Sequence, residues 1–243
     1  AGFLEYLHKK LLSRYSIVRT KVRGSCNGLI CLSQDDGDVI TSLVVIHPLR
    51  KECYKLPPFP LRFEKHVCRE SCGLGFDTLT NTWKMVGVLL KQFTPPTKPD
   101  MVKKTLCTMV HVFGTNSWIE ILQVPSYPIS RKAIFANGCL QWLASYSDIK
   151  TGDGGREIWF DVNKEEFGLI DPPRRMCDKW RVYGGYYDQV VDLNGEVRYV
   201  CNRTMEFWLL NHKKKEWVPH CRFKEEIVPN SFTIHVIGCW NKD

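Results

Sequence analysis

Three times in 243 residues the chain writes Asn-Gly ahead of a hydrophobic run: Ser25-Cys26-Asn27-Gly28-Leu29-Ile30-Cys31-Leu32, Phe135-Ala136-Asn137-Gly138-Cys139-Leu140-Gln141-Trp142 and Asp192-Leu193-Asn194-Gly195-Glu196-Val197-Arg198-Tyr199. A type I′ turn needs φ > 0 at both central residues, and Asn-Gly tolerates that best, so the dipeptide is the strongest short hairpin signal. One hairpin recurring in one chain points to a repeat architecture. Such a scaffold is expected to bind before it is expected to catalyse.

A second element recurs downstream: an apolar strand, a polar turn, then an aromatic or bulky residue opening a return strand. It reads at 43–58 with Tyr54, at 157–173 with Phe167 and at 206–219 with Trp217. Looser copies run from Phe76-Asp77 to Trp83 and from Val112-Phe113 to Trp118. The return aromatics Tyr54, Trp83, Trp118, Phe167 and Trp217 are expected to pack between neighbouring sheets. Two hairpins make four strands in roughly 45–50 residues, the size of one propeller blade. The fold class is therefore all-β, a kelch-like β-propeller with blades at 25–58, 73–121, 134–170 and 186–219. Residues 232–240 start a fifth, so the ring reads as incomplete at the C-terminus. An antiparallel β-sandwich competes, but the two-hairpin period favours radial repetition. Phe3, Leu4, Leu7, Leu11 and Leu12 stand at helical spacing and predict a short N-terminal helix over 3–12. Val18, Thr20 and Val22 alternate with Arg19 and Lys21, as in a half-buried strand.

Composition narrows the function. At 44% hydrophobic residues the chain can bury a sizeable core, and it contains no apolar run long enough for a membrane helix. The apolar stretch at the N-terminus is too short, and too broken by charge, for a secretory signal. Eleven cysteines are scattered with no C-x-x-C pair. His66, Cys68 and Cys72 form the best local cluster, and it falls short of a zinc pattern, so no metal site is expected. Buried thiols in a reducing compartment, cytoplasmic or nuclear, are the natural reading. The net charge of +8 is spread over Lys9-Lys10, Lys103-Lys104, Arg174-Arg175 and Lys213-Lys214-Lys215, a pattern of solvated turns. Neither nucleic acid nor membrane is expected as a partner.

No catalytic residue and no cofactor are expected. The seven histidines stand apart from any nucleophile elbow, metalloprotease helix or phosphate loop. His111 and His235 alternate within strand patterns as packing or pore-lining residues. Asp77 and Asp161, each after Phe, read as Asx-turn residues. The rival class is a propeller enzyme, or another ligand-binding propeller, with a site at the central channel. It requires titratable groups from several blades to converge there. A nucleic-acid reader would need a continuous basic surface. The polar insertions 91–105, 148–156 and 171–182 are placed on the rims, where a repeat scaffold keeps its variable contacts. Within them Arg174, Arg175, Trp180 and Arg181 combine types favoured at binding hot spots, and they are the candidate partner-binding residues.

Eight motifs in order give the reading a family. They are the Ser-Cys-Asn-Gly opening at 25–32, His47-Pro48, Leu56-Pro57-Pro58, Gly73-Leu74-Gly75-Phe76-Asp77, Trp83-Lys84-Met85-Val86, Ser117-Trp118, Asn137-Gly138-Cys139-Leu140-Gln141-Trp142-Leu143 and Glu157-Ile158-Trp159-Phe160-Asp161-Val162. This set resembles the F-box-associated domain of plant F-box proteins, with His47-Pro48 where that family has Asn-Pro. The resemblance implies the substrate-recognition module of a Skp–cullin–F-box ubiquitin ligase, binding a target protein for degradation. The F-box that docks the Skp adaptor and cullin is expected ahead of residue 1. Residues 1–21 then read as the post-F-box helix and linker strand, and 22–243 as the propeller domain.

Overall fold

A computed structural model describes residues 19–36, 39–58, 71–90, 106–127, 129–144, 157–173, 189–193, 195–201 and 206–222. They form four four-stranded antiparallel sheets, each a meander of consecutive strands. Blade 1 holds β1 (Arg19–Cys26), β2 (Leu29–Asp36), β3 (Val39–His47) and β4 (Glu52–Lys55). Blade 2 holds β5 (Ser71–Asp77), β6 (Thr82–Leu90), β7 (Leu106–Val112) and β8 (Ile119–Ile121). Blade 3 holds β9 (Ile129–Ala136), β10 (Cys139–Ala144), β11 (Glu157–Asp161) and β12 (Glu166–Ile170). Blade 4 holds β13 (Gln189–Leu193), β14 (Glu196–Cys201), β15 (Glu206–Asn211) and β16 (Glu216–Arg222). The propeller expectation stands, blade by blade. The predicted helix at 3–12, the insertion 91–105 and the strand at 232–240 lie outside the described residues.

Two turn chemistries build the blades. The inner hairpin turns have the expected left-handed backbone, with φ of 47° and 79° at Asn27 and Gly28 and of 51° and 76° at Asn137 and Gly138. Gly195 has φ 79° in blade 4. The outer turns of blades 1, 3 and 4 are four-residue connections that end on a left-handed residue: Lys51, Glu165 and Lys215, at φ 58°, 56° and 53°. Blade 2 is the exception. It has no Asn-Gly, and its inner turn uses the outer-turn pattern, ending at Asn81 with φ 54°.

Each of these four-residue turns is locked by the residue that precedes it. Asp77 Oδ1 accepts from the amides of Leu79 and Thr80, and Asp161 Oδ1 from those of Asn163 and Lys164. Asn211 Oδ1 accepts from Lys213 and Lys214. In blade 1 the acceptor is His47 Nδ1, from the Arg50 amide. A ring nitrogen thus does the work of an Asx oxygen, and His47-Pro48 still makes the turn that Asn-Pro would.

Side chains alternate between the blade before and the blade after. Cys31, Val45, Leu74, Met85 and Trp118 share the core between blades 1 and 2. Val86, Val110, Leu140, Phe160 and Phe167 fill the one between blades 2 and 3. Leu143, Ile170, Tyr199, Trp208 and Trp217 fill the one between blades 3 and 4. Trp83, Trp118, Phe167 and Trp217 pack there as expected. Tyr54 does not: it pairs with Val45, while Cys53 pairs with Ile46, the pair that matches Phe160 with Phe167 and Leu210 with Trp217. One step along a strand reverses the face. Cys53 therefore holds the aromatic slot, and Tyr54 is exposed. Val22 is also exposed, at 51%, although β1 forms as predicted.

Glycine sets how closely blades approach. A Cβ on Gly73 would fall 2.6 Å from the Ala133 Cβ, and one on Gly75 2.7 Å from a Val162 methyl. The Gly-Leu-Gly-Phe-Asp segment is thus an inter-blade contact, with glycine on the side that meets blade 3. The innermost strands β1, β5 and β9 meet one another, and at Gly24 a Cβ would sit 3.5 Å from the Ala133 carbonyl and 3.9 Å from the Leu74 nitrogen. At Gly24, then, backbone from three described blades lies close together.

The Gly73→Ala variant should lose about 1–3 kcal/mol, because a backbone-anchored methyl opposite cannot swing away. Thermal unfolding of the two proteins checks this, and an unchanged midpoint contradicts it.

Candidate functional site

Strand direction divides the molecule into two faces. Every inner and outer hairpin turn lies at one end of the blades, the hairpin face. The chain leaves the opposite strand ends, the loop face, for residues 91–105, 145–156 and 174–188. Of the predicted partner-binding residues, Arg174, Arg175, Trp180 and Arg181 lie outside the described residues. The stretch leading to them, Asp171 to a buried Pro173, follows the loop-face end of β12.

The hairpin face is stitched from blade to blade. Thr78 at the inner turn of blade 2 donates its amide to Asn163 Oδ1 at the outer turn of blade 3, 3.0 Å away. The Asn163 amide group returns a bond to Thr78 Oγ1 at 3.1 Å. One blade further, Asn137 Nδ2 donates to the Gly195 carbonyl and to His212 Nε2, at 3.3 and 2.8 Å. Burial, with the Lys215 charge adding to it, lowers the His212 pKa, which suits the neutral acceptor.

Beneath the first stitch lies a buried ammonium. Lys84 Nζ meets Asp77 Oδ2 at 2.8 Å, Glu165 Oε1 at 2.7 Å and the Val162 carbonyl at 3.2 Å. Burial alone would raise the Asp77 pKa. The Lys84 ammonium and the Thr80 and Leu79 donors outweigh it and hold the carboxyl at about 2. Burial likewise works against the Lys84 charge, and the two carboxylates overcome it and raise its pKa. Asp77 is thus an Asx-turn residue, as expected, and also half of an ion pair that its motif did not announce. The signal available was Lys84 itself, a charge set inside the apolar run of β6.

The seam between blades 3 and 4 holds the opposite kind of group. Glu157 lies opposite Leu143 and Ile170, facing blade 4, and is fully buried. Neither carboxyl oxygen has a hydrogen-bond partner among the described residues. Burial pushes its pKa up to about 8, although the Lys215 charge pulls the other way. Lys215 caps this seam, its ammonium 4.6 Å from the centre of the Trp159 ring, which itself lies over Gly168.

Other chemistry-bearing residues are structural. His111 is buried, its Nδ1 donating to the Ser117 carbonyl at 3.0 Å, with the Phe113 and Trp118 rings alongside. Trp118 Nε1 donates to the Pro57 carbonyl at 2.8 Å and ties blade 2 to the Leu-Pro-Pro close of blade 1. Burial pushes the Cys26 and Cys31 thiols up to about 12, too high for nucleophiles at neutral pH. Among the described residues no three His, Cys, Asp or Glu side chains group as metal ligands. No described helix is long and apolar enough to cross a membrane. Of the four basic clusters only Lys213-Lys214-Lys215 is described, at the predicted hairpin tip, where Lys214 lies 3.6 Å from Glu216.

Turn-locked, four-stranded antiparallel blades packed face to face define a β-propeller scaffold. Residues 5–240 match the F-box associated beta propeller domain family, and the chain belongs to it. It is 27% identical over 165 residues to the Arabidopsis thaliana protein named "Putative F-box protein At1g33530", covering 65% of this chain and 31% of that one. It is 25% identical over 185 residues to the Arabidopsis "F-box/kelch-repeat protein At3g23880", covering 74% and 45%. The chain thus spans less than half the length of either relative.

Lys84→Met should destabilise the fold by about 2–3 kcal/mol, below the ~3–5 of a fully stranded pair because Asp77 keeps its amide donors. Chemical denaturation measures it. Glu157 predicts a pH effect of definite sign. Its folded pKa of about 8 lies above the ordinary 4.5, so the folded chain holds a proton that the unfolded chain releases. Stability attributable to it falls as pH rises from about 4.5 to about 8, then levels off. Glu157→Gln should flatten the thermal midpoint across that window, and a wild-type slope in the variant contradicts the assignment.

Proposed function

We propose that the chain is the target-recognition module of a Skp–cullin–F-box ubiquitin ligase, presenting a protein for ubiquitination without itself performing catalysis. The family match over residues 5–240 carries this reading, with F-box proteins as relatives. The geometry supports it too. The described acids Asp77 and Asp161 on the hairpin face lock turns, and Asp77 also pairs with Lys84. Such structural roles support a recognition scaffold. Adaptor and cullin then join through an F-box preceding residue 1. Cytoplasm or nucleus is the compartment that fits a chain whose buried Cys26 and Cys31 are free thiols.

We propose the polar insertion 171–182, which follows the loop-face end of β12, as the target site, with Arg174, Arg175, Trp180 and Arg181 as its contacts. The hairpin face has short turns already bonded to their neighbours, and offers less adaptable surface.

Affinity purification from plant tissue under proteasome inhibition tests the reading. Residues 1–243 should recover a target but no Skp adaptor, and a chain extended through the F-box should recover both. Recovery of the adaptor by 1–243 would overturn the division of labour. Arg174→Glu with Arg175→Glu should lose the target at least about tenfold, as for hot-spot residues. Unchanged recovery removes the loop-face assignment.

A further inference from the structure

Blades 3 and 4 meet through more than apolar side chains. Blade 3 sends hydrogen-bond acceptors into the seam. Glu157 lies opposite Leu143 and Ile170, and Gln141 opposite Trp159, and those three partners belong to the core shared with blade 4. Cross-strand partners share a face, so both polar side chains point at blade 4. Blade 4 sends donors. Trp208 and Trp217 stand in the same core with Tyr199 between them. Trp208 is the register partner of Tyr199, and the Trp217 ring meets the Tyr199 ring edge to face, 5.5 Å between centres.

Glu157 is 0% exposed and Gln141 2%. Glu157 Oε1 and Oε2, Gln141 Oε1, Trp208 Nε1 and Trp217 Nε1 are all sealed from solvent, and none has a hydrogen-bond partner among the described residues. The two sets are complementary. Three acceptor atoms on one blade face two N–H donors on the other, yet no direct bond joins them. Buried indole N–H groups usually find a partner, and buried polar groups left bare are rare in folded proteins. The preceding seam shows the contrast, since Lys84 reaches Asp77 and Glu165 directly. Donors and acceptors that face each other without touching call for a bridging molecule that both accepts and donates. A cation would suit the Glu157 carboxyl but be repelled by the indole N–H groups, and an anion would do the reverse. Water satisfies both sides, given about two to four polar partners.

We propose that the seam between blades 3 and 4 is a binding site for buried water, held by Glu157 and Gln141 on one side and by Trp208 on the other. The water accepts from the Trp208 indole N–H and donates to Gln141 Oε1 and the Glu157 carboxyl. Trp217 offers a second donor in the same core. Bridging water thus does across this seam what the Lys84 ion pairs do across the one before it. The inference concerns how two blades are joined and does not depend on what the propeller binds.

A crystal structure of the full chain, together with water relaxation dispersion by NMR in solution, tests it. Density should show an ordered water within about 3.2 Å of Trp208 Nε1 and of a Glu157 or Gln141 oxygen. Relaxation dispersion should count at least one fewer long-lived water in Glu157→Leu than in the unmutated chain. Glu157→Gln keeps side-chain acceptors and should retain that water. An equal count in Glu157→Leu overturns the proposal. So does density in which Glu157 or Gln141 bonds an indole N–H directly, or in which a cation occupies the seam. Should Glu157→Leu fail to fold, the density of the unmutated chain decides.

Discussion

A four-stranded meander has two apolar faces and can cover neither by itself. Every blade of this protein is therefore stable only through its neighbours, and inter-blade packing is the term on which the rest depends. Val45 and Met85, Val86 and Phe160, Tyr199 and Trp217 are buried because the next sheet lies against them. The close approach this demands explains details that look unrelated in the chain. Gly73 and Gly75 face blade 3 where a side chain would collide with Ala133 and Val162, and Gly24 sits where three innermost strands meet.

The polar groups at the seams follow from the same constraint. Once two blades approach, whatever lies between them is desolvated and must be paired or neutral. The seam of blades 2 and 3 takes the first course. Lys84 sits among Asp77, Glu165 and the Val162 carbonyl, and the pairing lowers the Asp77 pKa and raises that of Lys84, so both stay charged. The seam of blades 3 and 4 takes the second, with Glu157 favoured as the neutral acid and His212 as the neutral imidazole. A propeller can thus differ from seam to seam in its response to pH while its turns stay the same. The hairpin face, meanwhile, is bonded from blade to blade by Thr78 with Asn163 and by Asn137 with His212.

Much of the fold was legible because turns are local chemistry. Asn27-Gly28 and Asn137-Gly138 announce left-handed backbone, Asp77 and Asp161 announce Asx turns, and their spacing counts out the blades. Where the chain was misread, the missing quantity was register. Tyr54 looks like the return aromatic of blade 1, but pairing with Val45 turns it off the slot that Cys53 fills. The Lys84 network and the buried Glu157 were invisible for a related reason. Glu165, the second carboxylate on Lys84, comes from the next blade 81 residues on, and Glu157 is buried by packing against blade 4.

The amino-acid sequence by itself determined the elements, their pairing into hairpins, the number of described blades and the family, since each depends on residues within a few positions of one another or on motifs in order. Tertiary structure alone decided which face of each strand is buried, which acids are charged, how His47 replaces an Asx oxygen and why glycine stands at 73 and 75. Those outcomes rest on contacts between blades, where a single step of register or one missing Cβ changes what a side chain meets.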